Sequence, residues 1–176
     1  MKIVVLTHQA RYEGSVTPTS GSQAIRLQEM LNNPAVFTAG NAIPANHIRL
    51  ENVKIRFSPG QEVLHDERPV AYINPSLVES AYETSHTLET RSGLAVYERH
   101  HLSKEEARVQ IITSGWRRVT GVLLHGLRTL TYPAPEHPFF ALVDVELEEF
   151  HPEPATIRIN FILLNQAHIE SFVRTE

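Results

Sequence analysis

The sequence predicts a mainly β protein with one or two short helices, built as two similar, small, strongly bent β-barrel modules in tandem. Three observations carry this expectation. Ile73–Ser80 reads INPSLVES and Leu164–Ser171 reads LNQAHIES, so asparagine, glutamate and serine recur at matched places. His47–Ile55 (HIRLENVKI) aligns with Phe139–Leu147 (FFALVDVEL). Thr7 and Gly14 bracket one polar strand-like segment, and Thr113 and Gly121 bracket another.

The chain opens on Lys2 followed by four apolar residues, Ile3–Leu6. A secretory core needs about 7–15 apolar residues, so this run reads as a first strand. Ser22–Asn32 (SQAIRLQEMLN) spaces Ile25, Leu27, Met30 and Leu31 as a helix, with Ser22 as cap and Pro34 as stop. In the segment that follows, Ile48 and Leu50 share one parity, and Val53 and Ile55 take the other. Phe140 and Leu142 likewise give way to Val143, Val145 and Leu147. A flat strand that switched its buried face would turn apolar residues to water, so both segments require a bulge or sharp bend.

Between the repeats, Leu94–Tyr97 is a short strand candidate, and Ser103 with Glu106 fits a helix capping box. Val109–Thr113 is the counterpart of the first strand. Gly121 and Phe139 stand 18 positions apart, against 33 from Gly14 to His47, and Tyr132–Pro138 holds three prolines that forbid a helix. Ala155–Leu164 alternates Ile157, Ile159, Phe161 and Leu163 with Thr156, Arg158 and Asn160, the period of a half-buried strand. The expected organisation is a first module over residues 1–84 with a helical insertion, an ordered join over 85–107, and a second module over 108–176. Modules this small bury limited surface alone, so they are expected to pack together, by an approximate twofold or by edge pairing.

With this order of elements, each module resembles the Sm-like fold. The second shows it best, in VTGVLL (Val119–Leu124), FALVDVEL (Phe140–Leu147) and INFILLNQAHIESF (Ile159–Phe172). The resemblance implies five bent strands after an optional helix, assembly into rings, and RNA binding at the pore through an Asp/Asn loop and an Arg-Gly turn. At that turn this chain has Asn74-Pro75-Ser76 and Asn165-Gln166-Ala167, with neither arginine nor glycine. The RNA pocket of the family is therefore not evident.

Composition narrows the chemistry. A net charge of −4 provides no global field for nucleic acid or anionic membrane, and the absence of cysteine excludes disulfides, thiolate metal sites and thiol nucleophiles. No nucleophile–base motif or phosphate loop is present, so no enzyme activity, cofactor or metal is expected. His100-His101 near Glu105 and Glu106 reads as surface histidine, because neighbours on a strand face opposite ways.

Asn74 and Asn165 are candidate ligand contacts, although asparagine also suits tight turns. Glu79 and Glu170 read as solvated strand positions. Trp116-Arg117-Arg118, with Arg11-Tyr12 in the corresponding place of the first module, forms an aromatic–basic cluster able to stack bases and neutralise phosphates; its alternative role is a hairpin tip that closes the barrel end. The expected function is a non-catalytic interaction module that assembles through β-edges. RNA or single-stranded nucleic-acid binding stands second. The expected partner is another copy of the chain, as a dimer ahead of a trimer, with no membrane contact and a cytoplasmic location.

Overall fold

The computed structural model describes residues 1–16, 27–32, 47–57, 63–84, 106–123, 127, 130, 138–150 and 154–175. The expected Leu94–Tyr97 strand, the Ser103 capping box, His100-His101 and the Tyr132–His137 loop lie outside these residues. Ten strands and one short helix follow in order: β1 (Lys2–Thr7), β2 (Ala10–Ser15), α1 (Leu27–Asn32), β3 (Ile48–Phe57), β4 (Leu64–Ile73), β5 (Val78–Glu83), β6 (Ala107–Thr113), β7 (Arg117–Leu123), β8 (Phe139–Glu149), β9 (Ala155–Asn165) and β10 (Ile169–Arg174). A single 3-10 turn, Pro75–Leu77 or Gln166–His168, precedes β5 and β10.

All ten strands form one antiparallel sheet in the order β10-β6-β7-β8-β9-β5-β1-β2-β3-β4. The mainly β class is as the sequence predicts. The two separate barrels are not what is seen: the sheet is open, and the halves merge where β5 pairs with β9. The strand-like segments between Thr7 and Gly14 and between Thr113 and Gly121 are likewise hairpins, each with its turn just after the threonine.

The bends fall where the parity changes. Asn52 and Asp144 adopt φ of 52° and 50°, the left-handed region that asparagine and aspartate tolerate better than most residues. The register slips there in both halves, between Glu13 and Ser15 against β3 and between Thr120 and Val122 against β8. One extra residue resets the alternation, so Leu50 and Val53 are both buried, as are Leu142 and Val145. The facing residue is glycine each time because the strands close in: a Cβ on Gly14 would stand 3.1 Å from Glu51 O, and one on Gly121 3.1 Å from Val143 O.

Two cores form, and they share strands across the join. Val4, Leu6 and Tyr82 sit in one cluster with Val109, Leu142 and Ile162. Ile3 and Val5 sit in the other with Leu31, Leu50, Val78, Phe139 and Leu163. β1 is thus buried on both faces, which accounts for its unbroken Ile-Val-Val-Leu run. α1 closes the second cluster with Leu27, Met30 and Leu31, the C-terminal part of the expected Ser22–Asn32 helix.

Candidate functional site: a buried polar seam and two open edges

At the seam, Ser80 faces Leu164 and Ala81 faces Leu163. This pairing brings together the turn after β1 and the turn after β6, since His8 Nδ1 lies 2.9 Å from Ser114 O. Arg117 reaches between them. Its Nη1 donates to Thr7 O at 3.1 Å and to Glu79 Oε2 at 2.9 Å. Thr113 Oγ1 donates to Glu79 Oε1. Glu149, also buried, lies 3.8 Å from Arg117 Nε and 3.7 Å from Arg11 Nη1. Arg11 in turn lies 5.9 Å from the centre of the Tyr82 ring. The result is an alternating string of cations and carboxylates drawn from both halves. Burial pushes the Tyr82 phenol up, against the opposing pull of Arg11; the phenol oxygen is buried without a hydrogen-bond partner.

The other side of the seam is held by side-chain amides and an imidazole. Asn165 Nδ2 donates to Val78 O at 2.9 Å while its Oδ1 accepts from Ala167 N. His168 Nε2 lies 3.0 Å from Ser76 O and its Nδ1 lies 3.2 Å from Ser114 Oγ. A carbonyl can only accept, so Nε2 carries the proton toward Ser76; that contact crosses between the halves, while Nδ1 meets Ser114 within the second half. On the face covered by α1, Asn32 Oδ1 accepts from Phe139 N at 3.1 Å, and Gln28 Nε2 donates to Phe139 O. These groups position β8 against the first half.

The candidate residues fall in different places. Asn74 is exposed, and its Oδ1 accepts from Ser76 N and Oγ as a turn cap. Asn165 caps its turn in the same way and also crosses the seam. Trp116 stands at the β6–β7 turn with φ 58° and is 72% exposed, so it does not close a barrel end. Arg118 is forked on Glu148, with Nε–Oε1 at 2.8 Å, and lies 5.4 Å from the centre of the Phe150 ring. Its guanidinium is raised above its ordinary value chiefly by that hydrogen bond. Tyr12 packs against the core of the first half. The strand pairings also revise one correspondence: Arg11 faces Leu6 as Arg118 faces Ile112, so the counterpart of Arg117 is Ala10. The aromatic–basic cluster therefore splits, with Arg117 drawn inward and Trp116 and Arg118 left outside.

Glu79 was expected to be a solvated position, and it is 1% exposed instead. Charge alone gives no sign of this, because Glu170 likewise stands between a β-branched aliphatic residue and a serine, yet it is exposed. The only hint in the sequence is Gly115, whose lack of a side chain leaves room for the ion pair.

The sheet ends on β4 and β10. β10 is exposed along most of its length, and Phe172, Val173, Tyr72 and Leu64 are large apolar side chains in solvent on these two strands. Pro69 also lies on β4, consistent with the tolerance of proline at an edge. Among the described residues no group of three or more potential ligands could hold a metal ion, and no helix is long and apolar enough to cross a membrane.

Among the described residues, the fold and seam thus define an open-sheet, all-antiparallel β protein whose two edge strands, β4 and β10, each pair on one side. Comparison with known proteins finds no matching family model, curated protein or solved structure.

Proposed function

We propose that this chain is a non-catalytic assembly module, made of two copies of one five-stranded, Sm-like unit, which associates through its two open β-edges. The contrast between β5 and β10 carries the reading. They follow the same kind of asparagine-capped turn and share the Glu-Ser pair, yet β5 is buried between β1 and β9 while β10 lies open. The inner strand displays what this segment does when an edge is offered to it. Duplication is supported by the common strand order, β5-β1-β2-β3-β4 and β10-β6-β7-β8-β9, and by bulges opposite Gly14 and Gly121. Exposed apolar edges promote strand addition.

Light scattering at micromolar concentration tests the reading. A mass above 19.9 kDa that returns to 19.9 kDa in Val173→Lys supports it, and a wild type that stays at 19.9 kDa overturns it. Nucleic-acid binding at the β6–β7 turn draws support from the exposure of Trp116. Against it, Arg117 is held in the seam, Arg118 is paired, and Glu148 and Glu149 stand opposite the two residues that follow the turn. Retention of a mixed oligonucleotide at low salt, lost steeply as salt rises, would favour that second reading.

A further inference from the structure

We infer that the two edges recognise each other: β10 of one chain adds to β4 of a second copy, antiparallel, in the register that β5 and β9 use inside the chain. The inference rests on the assembly reading above and names which edge meets which. Matching the capping residues Asn74 and Asn165 makes Ile73 and Tyr72 the counterparts of Leu164 and Leu163, and Ser171 and Phe172 those of Ser80 and Ala81. Carrying the seam register across sets Ser171 opposite Ile73 and Phe172 opposite Tyr72 of the second copy. Val173 then faces Ala71.

The residues brought together are those in need of cover. Tyr72 is 46%, Phe172 37% and Val173 55% exposed, and a directly opposed aromatic pair is a favourable cross-strand contact. Pro69 does not obstruct the joint. It would stand opposite Thr175, beyond the end of β10, and the seam pairing it copies uses only the Leu163–Leu164 end of β9.

A cavity of about 360 Å³ also opens beside β10, lined by Leu130, Ile169 and Phe172 together with Gln166, Glu170 and Ser171. In the first half, Val78 and Ala81 (the counterparts of Ile169 and Phe172) share a buried cluster with Phe139 from the other half. The cavity is therefore the seat for the neighbouring copy. Two features distinguish the outer joint from the seam. Ala10 stands where the seam has Arg117, so the buried ion pair is not repeated and the joint is reversible. It is also head-to-tail, so each addition leaves one β4 and one β10 edge free until a ring closes.

The chain has no cysteine, so introduced thiols report the joint directly. Tyr72→Cys, Phe172→Cys and an equal mixture of the two are oxidised and run on a non-reducing gel, beside light scattering of the unmodified chain. A disulfide-linked dimer in the mixture, absent from either variant alone, is the expected result. Linkage within one variant alone shows a symmetric joint and overturns the inference, while leaving edge assembly in place. An oligomer with no link in any arm overturns it in the same way. A wild type at 19.9 kDa overturns both. Ala71→Cys with Val173→Cys repeats the test one step along should an aromatic replacement fail to fold, and a link between Tyr72→Cys and Val173→Cys in place of the expected pair refutes the register.

Discussion

Arg117 Nη1 lies 2.9 Å from Glu79 Oε2, in an ion pair that ties the first strand of the β7–β8 hairpin to β5 across the seam. Both side chains are nearly closed to solvent, at 10% and 0% exposure. Removing one partner leaves the other charge buried, which costs about 3–5 kcal/mol, whereas apolar replacement of both is often close to neutral. Arg117→Met is therefore expected to lower the urea midpoint strongly, and Arg117→Met with Glu79→Leu to recover most of the loss. Equal loss in single and double variants would show that the pair does not act as a unit.

Gly115 closes over that pair. A Cβ there would collide with Glu79 Oε2 and Arg117 Nη1, and would sit 2.9 Å from Glu79 Cδ. Gly115→Ala is expected to destabilise by about 1–3 kcal/mol, the range for forcing atoms into a packed site. In the Arg117→Met, Glu79→Leu background, where the ion pair is gone, the penalty should change. Chemical denaturation of the four chains measures this coupling, and strict additivity would count against the contact.

Asn52 and Asp144 hold the bends with positive φ. Valine at either place should cost about 1–2 kcal/mol, because its Cβ crowds the backbone in the left-handed region. Asn52→Gly and Asp144→Gly should remain near wild type, since glycine reaches that conformation without strain. Thermal or urea midpoints distinguish these outcomes, and indifference to valine would place the bend elsewhere.

Glu83 provides a pH test. Burial pushes its carboxyl above the ordinary 4.5, with partial relief from the N-terminal ammonium. A raised value means the folded chain favours the protonated form, so Glu83 opposes folding as pH rises through that value, and the opposition fades below 4.5. Glu83→Gln is expected to melt higher than wild type at pH 7, with the advantage shrinking toward pH 4. An advantage that grows with acidity would reverse the sign and refute the assignment.

Much of the local structure could be read from the residues. The alternation of Ile157, Ile159, Thr156 and Arg158 marked β9, and the parity change around Asn52 and Asp144 marked the bends, because side-chain direction along a strand is a local property. Asn74 and Asn165 marked the two turns for the same reason. The candidate site was less legible. Trp116, Arg117 and Arg118 are adjacent in sequence, but the turn geometry sends Arg117 inward to Glu79 and leaves its neighbours outside.

What the sequence determined by itself is the set of elements: short strands, bends around Asn52 and Asp144, turns at Asn74 and Asn165, and an apolar run, Ile3–Leu6, that forms β1. The tertiary structure decided which strands became central and which became edges. Glu79 and Glu170 occupy matched positions in similar strands, yet one is buried in an ion pair and the other is exposed. Nothing local separates them, because burial of an edge depends on whether another strand arrives. Of β5 and β10, it is β5 that meets β9, and that pairing, long-range in sequence, joins the strands into one open sheet with β10 and β4 at its ends.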